Sequence, residues 1–214
     1  MEIFKRNRFI IQHNLKDFKD TDGIMDTGMN PLCYVKRQQS WKRMVLPWVA
    51  KIPILNMLWQ IPSRQQQMET TDIQLKAVDG TSLGEIHETP VFQWVRMIRK
   101  WQVYDAKGEY KGAVKEKPKA VGSDWVLESV EGMVIATSEG DRKKHDYQVL
   151  ALDKQVIARC QPGEAVSEKD YYGVDILRSN SDPLLVLSYI LVLAHVSAWR
   201  VERRRGPSFS YTGR

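Results

Sequence analysis

Apolar and polar residues alternate along most of this chain, and short turns interrupt the alternation at intervals. The clearest copy covers residues 101–114 and reverses over Asp105-Ala106-Lys107-Gly108. Residues 125–137 repeat the pattern, as do 73–86 through Asp79-Gly80 and 147–160 through Asp153-Lys154-Gln155. A degenerate copy covers 24–35 through Gly28-Met29-Asn30-Pro31. Period-two alternation gives each strand one buried and one solvated face, and Asp, Asn and Gly supply the tight reversals. Five hairpins and single strands near 9–12 and 171–177 predict eleven or twelve short strands. Antiparallel sheet on that scale closes to remove its edges.

A second pattern lies after the hairpins. The sixteen residues 184–199 are apolar on every side, so they cannot form a surface helix, which keeps a polar face. Asn180, Ser181 and Asp182 offer cap oxygens, and Pro183 suits the first helical turn. Arg200, Arg203, Arg204 and Arg205, then Gly206-Pro207, mark the end. Such a run spans about 24 Å. A bilayer span takes about 20 predominantly apolar residues, and this run carries Ser188, His195 and Ser197. The expectation is a buried core helix built on Leu184, Leu185, Leu187, Leu191 and Leu193. A closed barrel this wide needs a filler, and a seven-residue strand rises about 23 Å, close to the helix length. The fold class is therefore mainly β, a closed antiparallel barrel of about twelve strands around a buried C-terminal apolar helix.

Residues 41–62 interrupt the repeat. They are apolar with Trp41, Trp48 and Trp59, basic at Lys42, Arg43 and Lys51, and broken by Pro47, Pro53 and Pro62. Prolines at that spacing forbid one clean helix. Two readings remain open: a loop packed on the barrel, or an interfacial anchor whose rings sit at headgroup depth. The expected organisation is one barrel domain over 1–201, with 41–62 as an insertion, and a basic flexible tail over 202–214.

The turn at residues 105–108, the strands that follow it, the Tyr172-Gly173-Val174-Asp175-Ile176 strand and the Asp182-Pro183-Leu184-Leu185 helix start together resemble the tubby-like superfamily. Within it, the LURP-one-related and phospholipid-scramblase-like branches are the most similar. The resemblance covers most of residues 3–199. It implies a twelve-stranded barrel wrapped around its C-terminal helix. Eukaryotic scramblases of this family carry an acidic calcium-binding segment near the helix start. Here Lys169 interrupts the acidic group Glu168, Asp170, Asp175 and Asp182, and Asp182 reads as a cap. The cysteine-rich palmitoylation stretch of those proteins is missing; Cys33 and Cys160 are the two cysteines.

Charge sharpens the picture. Residues 1–68 hold eleven Lys or Arg against five acids, and 200–214 hold five against one. The intervening 69–199 hold sixteen against twenty. Basic ends around an acidic body point to anionic surfaces as partners. The N-terminal apolar run, Phe9-Ile10-Ile11, is too short for a signal-peptide core, which predicts a cytoplasmic protein.

Candidate chemistry is sparse. His13, His87, His145 and His195 are scattered, and no metal, nucleophile-elbow or phosphate-loop motif occurs. His195 reads as a core histidine, and no cofactor or metal is expected. Trp94, Arg96, Arg99, Lys100 and Trp101 interleave aromatic and basic groups. Alternation through 94–101 reads as one strand snorkelling its arginines, which argues against nucleic acid.

The leading expectation is thus a non-enzymatic protein binding anionic phospholipid at the inner face of the membrane. Lys42, Arg43, Lys51, Arg203, Arg204 and Arg205 would supply charge, and Trp41, Trp48 and Trp59 interfacial anchors. The alternatives are a soluble scaffold docking an unknown protein through 41–62, and a phospholipid scramblase.

Overall fold

The computed structural model describes residues 6–14, 22–40, 70–93, 96–118, 123–163, 169–177 and 182–205. Twelve strands form one closed antiparallel barrel: β1 (Arg8–Asn14), β2 (Asp22–Met25), β3 (Pro31–Ser40), β4 (Thr70–Ala77), β5 (Ser82–Gln93), β6 (Arg96–Asp105), β7 (Tyr110–Pro118), β8 (Ser123–Glu128), β9 (Val134–Asp141), β10 (Asp146–Ala151), β11 (Val156–Pro162) and β12 (Lys169–Ile176). Each strand pairs with its neighbours in sequence, and β1 closes the ring on β12 through Phe9↔Val174 and Ile11↔Tyr172. The expected hairpins each form, and the barrel is the fold class read from the alternation.

Five hairpins close with one turn design. In each, the first residue's N–H donates to the fifth residue's carbonyl, and the fourth residue's N–H donates back to the first: Asp26–Asn30, Ala77–Thr81, Asp105–Glu109, Ser129–Met133 and Ala151–Gln155. The fourth residue has positive φ every time: Met29, Gly80, Gly108, Gly132 and Lys154. This is a type I turn followed by a left-handed residue, a common short hairpin connection. Asp26, Asp79, Asp105 and Asp153 brace four of the turns by accepting backbone N–H groups from within them. All five tips lie at one end of the barrel, here the tip end, because an up-and-down meander places alternate connections at the same end.

The helix α1 (Pro183–Arg205) enters from the tip end. Asp182 caps it, accepting from the N–H groups of Leu184 at 2.9 Å and Leu185 at 3.4 Å. Leu184 lies against Gly84 of β5, and Leu185 against Gly112 of β7. Higher up, the Tyr189 hydroxyl donates to the Trp125 carbonyl at 2.6 Å. Every residue from Leu184 to Val196 is buried, including the five leucines expected in the core. Around them lie inward-facing strand residues such as Ile11, Val35, Leu75, Ile86, Leu127, Val149 and Val174. Trp101 and Trp125 pack edge on, ring centres 5.0 Å apart and planes at 60°. A fully buried Leu or Ile contributes about 1.5–3 kcal/mol, so the helix is a main source of the barrel's stability.

Two expectations are corrected. The flexible tail expected over 202–214 does not start at 202: the helix runs through the arginines to Arg205, up to the Gly206-Pro207 stop, because arginine is a good helix former and no glycine or proline intervenes before 206. Nor is 94–101 one strand. Gln93 pairs with Arg96, so the chain reverses between these two residues; Trp94 and Val95 themselves lie outside the described residues. That reversal has no Gly, Asn or Asp to signal it.

Gly112, like Gly84, lets the helix press close against the wall. At φ 145° it sits where an added Cβ would lie 2.3 Å from the Glu128 carbonyl oxygen and 3.2 Å from Leu185. Gly112→Ala is expected to cost about 2–4 kcal/mol through backbone strain and overpacking. Leu191→Ala, inside the lumen, is expected to cost about 2–5 kcal/mol. Urea unfolding of both variants checks the pair.

Candidate functional site

The end opposite the tips carries connections of unequal length, from the two residues between β5 and β6 to the excursion 41–69, and is called the loop end. Ser40 and Thr70 pair across β3 and β4 there, so the excursion 41–69 leaves and returns at adjacent points of this rim. The helix climbs toward the same end, as Leu184 and Leu185 at the tip end and Tyr189 against Trp125 establish. It also packs on the short 3-10 turn Arg142–Lys144, which joins β9 to β10 at the loop end. The positions of Arg203, Arg204 and Arg205 are thus at the loop-end terminus of α1. Trp41, Lys42, Arg43, Trp48, Lys51 and Trp59 fall outside the described residues, and so do the side chains of the three arginines.

Just inside this mouth the lumen turns from apolar to charged. Glu88 is buried, with one carboxylate oxygen 3.0 Å from the Arg99 guanidinium and the other accepting from the Thr71 N–H at 2.8 Å. Glu116, also buried, accepts from the Arg99 N–H at 3.4 Å. Buried Arg37 projects inward from β3, in the same period as Cys33 and Val35. In both carboxylate contacts a side chain takes a backbone N–H at or just beyond the last ladder pair, which eases the sheet open toward the mouth. Burial pushes the Glu88 carboxyl up from its ordinary range, while the Arg99 charge and the Thr71 N–H oppose that. Arg99 therefore does not snorkel outward, as expected from the alternation; its ion pair holds it inside.

On the outer wall, the β4–β5 register sets Asp72 opposite His87. His87 Nδ1 lies 3.0 Å from Asp72 and Nε2 lies 3.1 Å from Glu85, with the Tyr104 ring 5.4 Å away. His87, Glu85 and Tyr104 border a surface cleft of about 540 Å³ that extends to Ser82 and residues 105–108. Asp72 is fifteen positions from His87, so no linear motif reveals the group; only the hairpin register through Asp79-Gly80 does. Among the described residues, no three His, Cys, Asp or Glu side chains are arranged to hold a metal ion.

Of the four acids near the helix start, Asp182 caps α1 and Asp175 pairs with Arg8 at 2.7 Å. Glu168 and the Asp170 side chain lie outside the described residues. His195 is buried in the lumen, as read from its apolar run. Cys33 and Cys160 are buried free thiols, and burial pushes both up to about 12, so they stay protonated at neutral pH. Among the described residues, no helix is long and apolar enough to cross a membrane.

No protein-family model and no curated protein matches this chain. Among solved structures, an X-ray structure of a protein from Arabidopsis thaliana is similar at 16% sequence identity and a TM-score of 0.48. The likeness covers 88% of this chain and 91% of that one.

At the cleft's lower border, Asp105 accepts from the N–H groups of Lys107 and Glu109 and pairs with Lys111 at 2.9 Å. The Lys111 hydrogen bond and the two N–H donors lower its carboxyl to about 2. A folded value below the unfolded one gives stability that is present above the unfolded value and lost as pH falls through the folded one. Asp105→Asn is expected to flatten the loss of thermal stability between about pH 4 and pH 2. Melting curves across that window, with wild type alongside, check the sign.

Proposed function

We propose that this chain is a non-enzymatic, tubby-like barrel of the LURP-one-related or scramblase-like kind, which binds anionic phospholipid headgroups peripherally through its loop end. One observation carries the reading: the paired strand ends that bound 41–69 and the arginine-bearing terminus of α1 lie at the same end of the barrel. Two basic segments far apart in sequence would then act on one surface. Lys42, Arg43 and Lys51 would join Arg203, Arg204 and Arg205 in facing the headgroups, with Trp41, Trp48 and Trp59 at the interface. Attraction of this kind sums over cations and is screened by salt. A cytoplasmic location on the inner, anionic leaflet fits the charge.

Family membership draws its support from the Asp182-Pro183-Leu184-Leu185 helix start after the Tyr172–Ile176 strand, and from a twelve-stranded barrel filled by that helix. Scramblase activity is disfavoured. Moving headgroups across a bilayer needs a hydrophilic path, and a helix buried from Leu184 to Val196 inside the barrel offers none. The enclosed, protonated thiols likewise speak against cysteine chemistry.

The purified protein is expected to co-sediment with anionic but not neutral liposomes, and to be released by high salt. Replacing Lys42, Arg43 and Lys51 together with Ala should weaken binding by about two orders of magnitude, at about 1 kcal/mol per cation. Unchanged affinity in that variant, or equal binding to neutral vesicles, would sink the lipid reading.

A further inference from the structure

The tip end has the opposite character. Eight large apolar side chains stand exposed among the described residues, and six of them crown this one rim: Met29, Val78, Val130, Met133, Leu152 and Leu177. Five belong to the hairpin turns, and Leu177 follows β12 at the same end. Met133 is 63% exposed and Leu152 66%. Isolated exposed apolar residues are ordinary, but their gathering at one pole is not. The turn design explains how they are held. In each tip the second residue points away from the sheet, and there the chain carries Thr27, Val78, Ala106, Val130 and Leu152. Any polar residue would serve a solvated turn at that position.

The charge around the crown is negative. The five turns contain the carboxylates of Asp26, Asp79, Asp105, Glu109, Glu131 and Asp153 against two lysines, Lys107 and Lys154. Lys154 is turned back onto Glu139 at 3.3 Å. Arg6 and Lys111 reach in from the flanks to Asp26, Asp105 and Glu109, and the acids still outnumber the cations. This acidic rim belongs to a chain of net charge +6. An anionic bilayer is repelled by it. A polypeptide that alternates apolar side chains with Lys or Arg is attracted on both counts.

We infer that the tip-end crown is a docking surface for a cationic amphipathic segment of another protein. Its apolar side would rest on Val130, Met133, Leu152 and their neighbours, and its Lys and Arg would face the turn carboxylates. The inference stands independently of the lipid reading, because it uses the opposite end of the barrel and none of the same residues.

The test uses the full chain with a synthetic leucine–lysine amphipathic helix, a leucine–glutamate counterpart, and neutral and anionic vesicles. Two variants accompany wild type: V130T/M133S/L152S, which removes apolar surface, and E109K/E131K, which reverses charge. All these side chains are exposed, so melting temperatures should be unchanged. The leucine–lysine peptide is expected to protect the amides of the turns from exchange. Its affinity should fall at least ten-fold in each variant, and the leucine–glutamate peptide should not bind. No binding, a footprint elsewhere, or wild-type affinity in either variant would overturn the proposal. Self-association lost in V130T/M133S/L152S would assign the crown to a second copy, and uptake on neutral vesicles lost in the same variant would assign it to a bilayer. Either result overturns it as well.

Discussion

The structure depends on one requirement: a sheet that closes on itself has an inside, and that inside must be filled. Closure through β1 and β12 removes both exposed edges and satisfies the backbone ladder around the ring. It also creates a lumen too wide for strand side chains alone. Only an element apolar on every face fits there, and the run from Leu184 to Val196 is such an element. Other features follow from this fit. Gly84 and Gly112 lack side chains where Leu184 and Leu185 press on the wall, and Tyr189 satisfies its hydroxyl on the wall's own backbone. Asp182 fixes where the helix starts.

Filling the lumen with a helix that enters at one end gives the barrel a direction. The tip end is built of five near-identical turns, so its composition is free to differ from one turn to the next only in side chains. The loop end carries connections of unequal length, including 41–69, and there the interior lining turns to Glu88, Arg99, Glu116 and Arg37. A buried ion pair such as Glu88–Arg99 contributes little net stability once desolvation is counted. Its effect is geometric: it lets the ladder end inside the barrel without leaving the Thr71 N–H orphaned.

Much of this fold is legible in the residues because two different periods are written side by side. Alternation with Asp-Gly or Asp-Lys turns fixes most hairpins, and continuous apolarity bounded by Asp182-Pro183 fixes the helix. Where legibility fails, a physical reason can be given. No Gly, Asn or Asp lies between Gln93 and Arg96, so 94–101 reads as one strand where the chain in fact reverses. The tail boundary drawn before residue 202 falls inside the helix because arginines both favour a helix end by charge and continue it by propensity. The His87 group was hidden because Asp72 and Glu85 meet it through register. The tip crown was hidden because Val78, Val130 and Leu152 look, in one dimension, like one more apolar position in an alternating strand. The residues expected to meet lipid are visible in the sequence as types, and the barrel adds only the end at which their segments attach.

The order of the chain carries a consequence for biogenesis. Every strand precedes the helix, so a ribosome delivers the complete wall before its filling. Local hairpins can zip as they emerge, since each pairs neighbours in sequence. The ring, however, joins Phe9 to Val174 around a core that does not yet exist. Until α1 arrives, the inward faces of all twelve strands are an open apolar surface, the state in which nascent β proteins aggregate. Translation of the last apolar segment supplies the element that covers those faces, and a polypeptide truncated before residue 183 lacks it.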